Sequence, residues 1–114
     1  MAKLENYRHA VQEALLNYAE MRSGISSNPE LELQVLFDTQ RDRYQLLYIG
    51  WYRGKRVYGP ILHLDIQNGK VWLQLNTTED DITQDLMELG IAKEDIVLGF
   101  HSPEMRQFTE FAVG

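Results

Sequence analysis

The chain has 114 residues, enough for one domain with a sizeable core, and its 44% hydrophobic and 25% charged composition is that of an ordinary globular protein. It contains no cysteine, which excludes a disulfide framework, a zinc–thiolate centre and a thiol nucleophile. With 17 acidic against 11 basic residues the net charge is −6, a handicap for binding nucleic acid, where much of the affinity comes from neutralised phosphates.

The N-terminal MAKLENYRHA is charged and lacks the apolar stretch of a signal peptide. No apolar run approaches the roughly 18 residues that a membrane helix needs. These features predict a cytoplasmic protein with no membrane contact.

Residues 3–22 read as an amphipathic helix, with Leu4, Tyr7, Val11, Ala14, Tyr18 and Met21 recurring at steps of three and four. The stripe is short for a coiled coil and is expected to pack on a sheet, with the hydroxyls of Tyr7 and Tyr18 wet at the core edge. Ser23-Gly24 is a plausible stop, followed by a loop through Pro29. Residues 30–38 alternate as a half-buried strand, with Leu31, Leu33, Val35 and Phe37 on one side. Asp38 to Asp42 turns the chain into a second strand, from Arg43 to about Trp51, and Arg53-Gly54 turns it again.

The stretch 55–76, KRVYGPILHLDIQNGKVWLQLN, organises the rest. Asn68-Gly69 is a strong type I′ signal. Pairing Gln67 with Lys70 puts Ile66/Val71, Leu64/Leu73 and Leu62/Leu75 on one face, and Asp65/Trp72, His63/Gln74 and Ile61/Asn76 on the other. Pairing around Arg53-Gly54 sets Ile49 beside Tyr58 and Leu47 beside Pro60. A proline there calls for a bulge, or for a position whose N–H would have faced outward. A bulge would change which face Tyr44, Leu46 and Tyr48 occupy, and the sequence leaves that register open.

Thr77 or Thr78 is positioned to cap a second helix running to about Leu89, with Gly90 as its C′ residue. IAKED reads as a tight turn or a single helical turn, Ile96-Val97-Leu98 as a short buried extended segment, and Ser102-Pro103 as a break before a helical turn. The fold class is therefore α+β in one domain, 1–114. An N-terminal helix packs on a mostly antiparallel sheet of about four strands, then come a second helix and a short irregular C-terminal segment.

Candidate chemistry is sparse. Glu79-Asp80-Asp81 suits a helix N-terminus through the macrodipole, and consecutive helical side chains diverge too far to share an ion, so no metal and no cofactor are expected. His63 and Asp65 lie on one face of a strand, an arrangement that orients a general base or completes a metal site, but no third group stands at a telling spacing. His101, at a chain break, is placed either to cap the chain or face solvent, or to hold an anion together with Arg106. Arg41/Arg43 and Arg53/Lys55/Arg56 flank a strand and stand about 25 Å apart at about 3.3 Å per residue. They make no single patch on one copy. The aromatic residues Tyr44, Tyr48, Trp51, Tyr52, Tyr58 and Trp72 form a docking surface if part of the set is exposed and core if none is. The candidate contact surface is Tyr44, Tyr48, Trp51, His63, Asp65, Trp72, Gln74, His101 and Arg106, with no catalytic residue.

Taken together, the pieces Phe37-Asp38-Thr39, Arg41-Asp42, Tyr44-Gln45-Leu46-Leu47 and Gly50-Trp51 resemble the XisI-like family, the fdxN-element excision controlling factors of cyanobacteria. The resemblance continues through Ile61-Leu62-His63-Leu64-Asp65-Ile66, Gly69-Lys70-Val71-Trp72, Lys93 to His101 and Phe111 to Gly114. Ala92 and Ser102 depart from it, standing where the family has proline. The resemblance implies an α+β domain and a non-enzymatic part in controlling programmed excision of a DNA element, whose strand exchange a separate recombinase performs. It also implies a XisH-like companion protein as partner, and it transfers no active-site residue. Two other readings stay open: a small hydrolase or nuclease subunit using His63, Asp65 or His101, and a homo-oligomer that gathers Arg41, Arg43, Arg53, Lys55 and Arg56 for direct DNA contact.

Overall fold

The two tight turns set the frame. Arg53-Gly54 and Asn68-Gly69 both adopt the paired left-handed conformations of a type I′ turn, with φ of 51° and 77° and of 52° and 75°. They join β2 (Arg43–Tyr52) to β3 (Lys55–Gln67) and β3 to β4 (Lys70–Asn76). The computed structural model describes residues 2–25 and 28–114, with no account of side-chain burial at 24 and 25. Of the expected loop after the first helix, Ser26 and Ser27 lie outside the described residues.

The remaining elements are α1 (Ala2–Ile25), β1 (Leu31–Asp38), α2 (Ile82–Glu88), a 3₁₀ turn (Lys93–Asp95), β5 (Ile96–Leu98) and α3 (Pro103–Arg106). The helix α1 runs through the expected stop at Ser23-Gly24. The sheet has five strands, in the order β1-β2-β3-β4-β5, where about four were expected. The extra strand is the apolar Ile96–Leu98 segment, which the α2 crossover returns parallel to β4; the pairings among β1 to β4 are all antiparallel. Beyond β5, the Ala112 N–H donates to the Ile96 carbonyl at 2.8 Å, so the tail runs alongside the last strand. No helix among the described residues is long and apolar enough to cross a membrane.

One face of the sheet is covered by α1 and α2. Across it run the rows Phe37–Tyr44–Leu64–Leu73–Leu98 and Val35–Leu46–Leu62. Val11, Leu15 and Leu86 pack against them, fully buried. Each such aliphatic side chain contributes about 1.5–3 kcal/mol by leaving water.

Two bulges bring these rows into phase. Continued without interruption, the β2–β3 pairing would set His63 beside Tyr44. The extra residue Ile61 shifts it, so that Leu46 faces Leu62 and Tyr44 faces Leu64, while His63 faces Gln45. Pro60 itself stays in register opposite Leu47. Counting hydrogen-bonded and non-hydrogen-bonded pairs alternately from the Tyr52/Lys55 closing pair, Leu47/Pro60 is a non-hydrogen-bonded pair. The proline nitrogen therefore faces away from β2, and no ladder bond is lost. A second bulge, which the hairpin pattern did not foretell, makes Gln74 the extra residue and pairs His63 with Leu75 and Leu62 with Asn76. That corrects the expected His63/Gln74 and Leu62/Leu75 pairs.

Helix α1 is also pinned by polar contacts. Arg8 meets Asp42 through Nε at 2.8 Å and a second nitrogen at 3.1 Å, and the Tyr44 hydroxyl donates to Asp42 at 2.9 Å. The Tyr7 hydroxyl donates to Asp95 at 2.6 Å and that of Tyr18 to Asp80 at 2.9 Å, which corrects the expectation that both hydroxyls are simply wet. Asp81, and not Thr77 or Thr78, caps α2 by accepting from the Thr83 N–H at 3.1 Å. The Thr78 N–H is taken by the Asn76 side chain, which turns the chain before the helix begins. Gly90 is the C′ residue as expected. Its N–H donates to Met87 and that of Ile91 to Leu86, the paired bonds of a Schellman ending.

Candidate interaction surface

The face of the sheet turned away from α1 carries the candidate residues in cross-strand rows. From the hairpin tip inward these are Glu32–Ile49–Tyr58, Gln34–Leu47–Pro60, Leu36–Gln45–His63 and Asp38–Arg43–Asp65–Trp72–Val97. Beyond the first row, Trp51 stands opposite Arg56, and its N–H donates to the Glu30 carbonyl at 3.1 Å. Gly50 makes that contact feasible: its φ is +147°, and a Cβ there would lie 1.9 Å from the Glu30 oxygen.

The middle of this face is a polar strip. His63 Nε2 lies 2.8 Å from Asp65 Oδ1, and Gln74 donates to Oδ2 at 3.1 Å. Arg43 stands 3.6 Å from Oδ1. The Gln45 amide lies 2.7 Å from His63 Nδ1. With that amide donating, the ring proton belongs on Nε2, aimed at Asp65. Asp65 is buried, and a buried carboxylate needs such a set of donors. Both nitrogens of His63 are engaged within the strip. A shallow cleft of about 250 Å³ adjoins it, lined by Leu36, Phe37, Asp38, Arg43, Gln45 and His63. No group of three or more His, Asp or Glu side chains among the described residues could hold a metal ion.

At the β5 end the tail lies over the sheet. The Arg106 guanidinium stacks 4.9 Å from the Trp72 ring centre, and its Nε donates to the His101 carbonyl at 3.0 Å. His101 rests against Phe100, ring centres 4.7 Å apart. Arg106 thus meets His101 through the main chain, not as the second half of an anion site, and Trp72 is half-buried beneath it.

The structure therefore divides the sequence-derived surface. Trp51, His63, Asp65, Trp72 and Gln74 share the open face, with Arg106 and His101 at its covered end. Tyr44 does not belong there: the Ile61 bulge locks it beside Leu64 on the helix side, where it is fully buried and edge-on to Phe37 at 5.7 Å. Tyr48 pairs with Leu33 and also falls on the helix side, half-buried. Arg56 and Tyr58, which the sequence placed in the basic and aromatic sets but not in the candidate contact surface, stand on the open face. Their signal was the I′ turn itself, since counting back from Arg53-Gly54 pairs them with Trp51 and Ile49. Arg41/Arg43 and Arg53/Lys55/Arg56 sit at opposite ends of β2, and Arg41 is held by Asp38 at 3.1 Å.

The same scaffold occurs in proteins already known. The family model described as XisI protein matches residues 1–113. The chain belongs to the XisI family. A XisI-like protein from Anabaena variabilis shares 39% identity over 97% of this chain and 99% of its own, with a TM-score of 0.87. The fdxN element excision controlling factor XisI from the same organism shares 41% identity over 98% and 99%, with a TM-score of 0.83. A search of curated proteins finds no match. Similarity this even along the chain means that the XisI scaffold includes both the helix-covered and the open face of the sheet.

Proposed function

We propose that this XisI-family protein is a non-enzymatic accessory factor that controls programmed site-specific excision of a DNA element. It acts in the cytoplasm by contact with a companion protein of the XisH-like kind. The observation that carries the reading is the whole-length likeness, at 41% identity, to a protein described as the fdxN element excision controlling factor XisI. The occupied His63–Asp65 pair supports a role without turnover, because its hydrogen-bonding capacity is spent inside the sheet face. Exposed Trp51 and Tyr58 support a role in contact, since aromatic side chains are enriched at protein interfaces.

The test is co-expression with a XisH-like companion protein, followed by size-exclusion chromatography with light scattering and an excision reporter in cells. A stable mixed complex, and excision that depends on both proteins, is the expected result. Separate elution at micromolar concentrations together with excision indifferent to the loss of this protein would refute it. Hydrolysis of any nucleic acid by the purified protein, lost in His63→Ala, would replace it with an enzymatic role.

A further inference from the structure

We infer that the companion docks on the tip of the β2–β3 hairpin, with Trp51, Arg56, Tyr58 and Ile49 as the contact centre, and that it presents an apolar side chain flanked by carboxylates. This inference rests on the reading of the protein as a contact factor and specifies where and how the contact is made. Trp51 and Tyr58 are 48% and 72% exposed, whereas Leu47, between them and the polar strip, is only 4% exposed, so along β2 and β3 the apolar surface opens toward the tip. Tryptophan, tyrosine and arginine are the residue types enriched where alanine substitutions cost most at interfaces. Here Trp51 and Arg56 are held in place. The Trp51 amide is tied to Glu30, and the Arg56 guanidinium stacks 5.5 Å from the Trp51 ring centre. Arg53 does the same over Tyr52 at 5.1 Å. One Arg56 nitrogen also donates to the Gly50 carbonyl at 3.5 Å, which fixes the group and leaves its other N–H groups for a carboxylate; side chains already fixed lose little entropy on binding.

Charge selects the partner. Residues 51–60 contain Arg53, Lys55 and Arg56 and no acid, on a chain of net charge −6. On its own this tip would suit any anion. However, β1 passes beside it, with Glu32 opposite Ile49 and Glu30 bonded through its carbonyl to Trp51. At about 4.8 Å per strand the two glutamates stand about 10 Å from the Arg56 and Tyr58 strand, comparable with the screening length at 0.1 M salt. A nucleic acid backbone, charged at every step, would have to run past them. A protein surface can place its carboxylates against Arg53, Lys55 and Arg56 alone and lay an apolar group over Ile49, between Trp51 and Tyr58.

The test measures binding of the full-length protein to purified companion by biolayer interferometry over a range of salt, with thermal melts confirming that each variant folds. Trp51→Ala and Tyr58→Ala should each weaken binding about tenfold or more, as expected of central interface aromatics. The combined change Arg53→Glu, Lys55→Glu, Arg56→Glu should slow association and reverse its salt dependence, because added salt then screens a repulsion. Glu104→Ala, in α3, should bind as wild type does. If the wild type binds and the tip variants bind equally well, the docking site is overturned while the contact reading stands. If the wild type does not bind, both fall together. Salt-sensitive binding of a 20-base-pair duplex that the charge-reversed variant loses would overturn the choice of a protein partner, and a change in the variants' own oligomeric state would assign the tip to a second copy.

Discussion

Replacing Gly50 with alanine should damage the molecule where the sheet and the exposed tip meet. The new methyl carbon would lie 1.9 Å from the Glu30 carbonyl oxygen and 2.9 Å from its carbon, and it would have to be carried at a φ of +147°. Neither neighbour is the flexible end of a side chain, so the start of β1 must move. The unfavourable backbone conformation costs about 1–3 kcal/mol and the lost Trp51 to Glu30 bond about 0.5–1.5 kcal/mol, together about 1.5–4.5 kcal/mol. Gly59 is the matched control. It lies in the same hairpin outside the left-handed region, and a methyl group there meets nothing within 4 Å. Gly59→Ala should fall between neutral and a gain of about 1 kcal/mol, through the reduced entropy of the unfolded chain. Urea unfolding of the two variants and the parent measures the difference. A Gly50→Ala protein within about 0.5 kcal/mol of wild type, the ordinary scatter of an inconsequential surface change, would refute the argument.

Tyr44→Phe removes a hydroxyl that donates to the Asp42 carboxylate from a fully buried ring, and should cost about 1.5–3 kcal/mol in the same assay, as for hydrogen bonds to charged groups. Acid should unfold the protein partly through Asp42 and Asp95. The Arg8 contact lowers the pKa of Asp42, and the Tyr7 hydroxyl followed by Lys3 lowers that of Asp95. Both folded values lie below the ordinary carboxylate value, so the stabilisation is complete above about pH 4 and is lost as pH falls through the folded values. Asp85 works in the opposite sense, its pKa raised by burial and by Glu88, Asp80 and Asp81, so protonating it relieves the fold as pH falls. Asp42→Asn should therefore flatten the acid limb of stability against pH, and an unchanged slope would remove Asp42 from the account. Trp72→Ala takes away the ring beneath Arg106 and should speed hydrogen exchange at the Ala112 amide while leaving β2 amides protected; equal protection throughout would show that the stacking does not hold the tail.

Local rules made most of the architecture legible. The Asn68-Gly69 I′ turn, the turn at Arg53-Gly54, the Gly90 helix ending and the alternation in β1 are each determined within a few residues, and all stand as read. What escaped depended on residues distant in sequence. The second bulge places Gln74 within reach of Asp65, and nothing near Gln74 announces it. Tyr44 looked like a surface aromatic because its face depends on one extra residue, Ile61, in the neighbouring strand. The threonines before α2 had the right chemistry for a cap, but Asn76 engaged Thr78 first and Asp81 took the position. At the candidate surface, Trp51, Asp65 and His63 were legible by strand alternation alone. Arg56 and Tyr58 were within reach of the same counting, but the tension at Pro60 left the register around them open.

That proline has a bearing on how the molecule behaves when heated or concentrated. Along β3 the flank from Lys55 to Pro60 extends past the end of β4, and there the missing N–H and the two cations discourage any stray strand from adding on. Leu31–Asp38, at the far margin, contains neither a proline nor a lysine. Aggregates should therefore grow from one side only, and a lysine at Leu36, whose side chain is already 52% exposed, would be the simplest way to slow them.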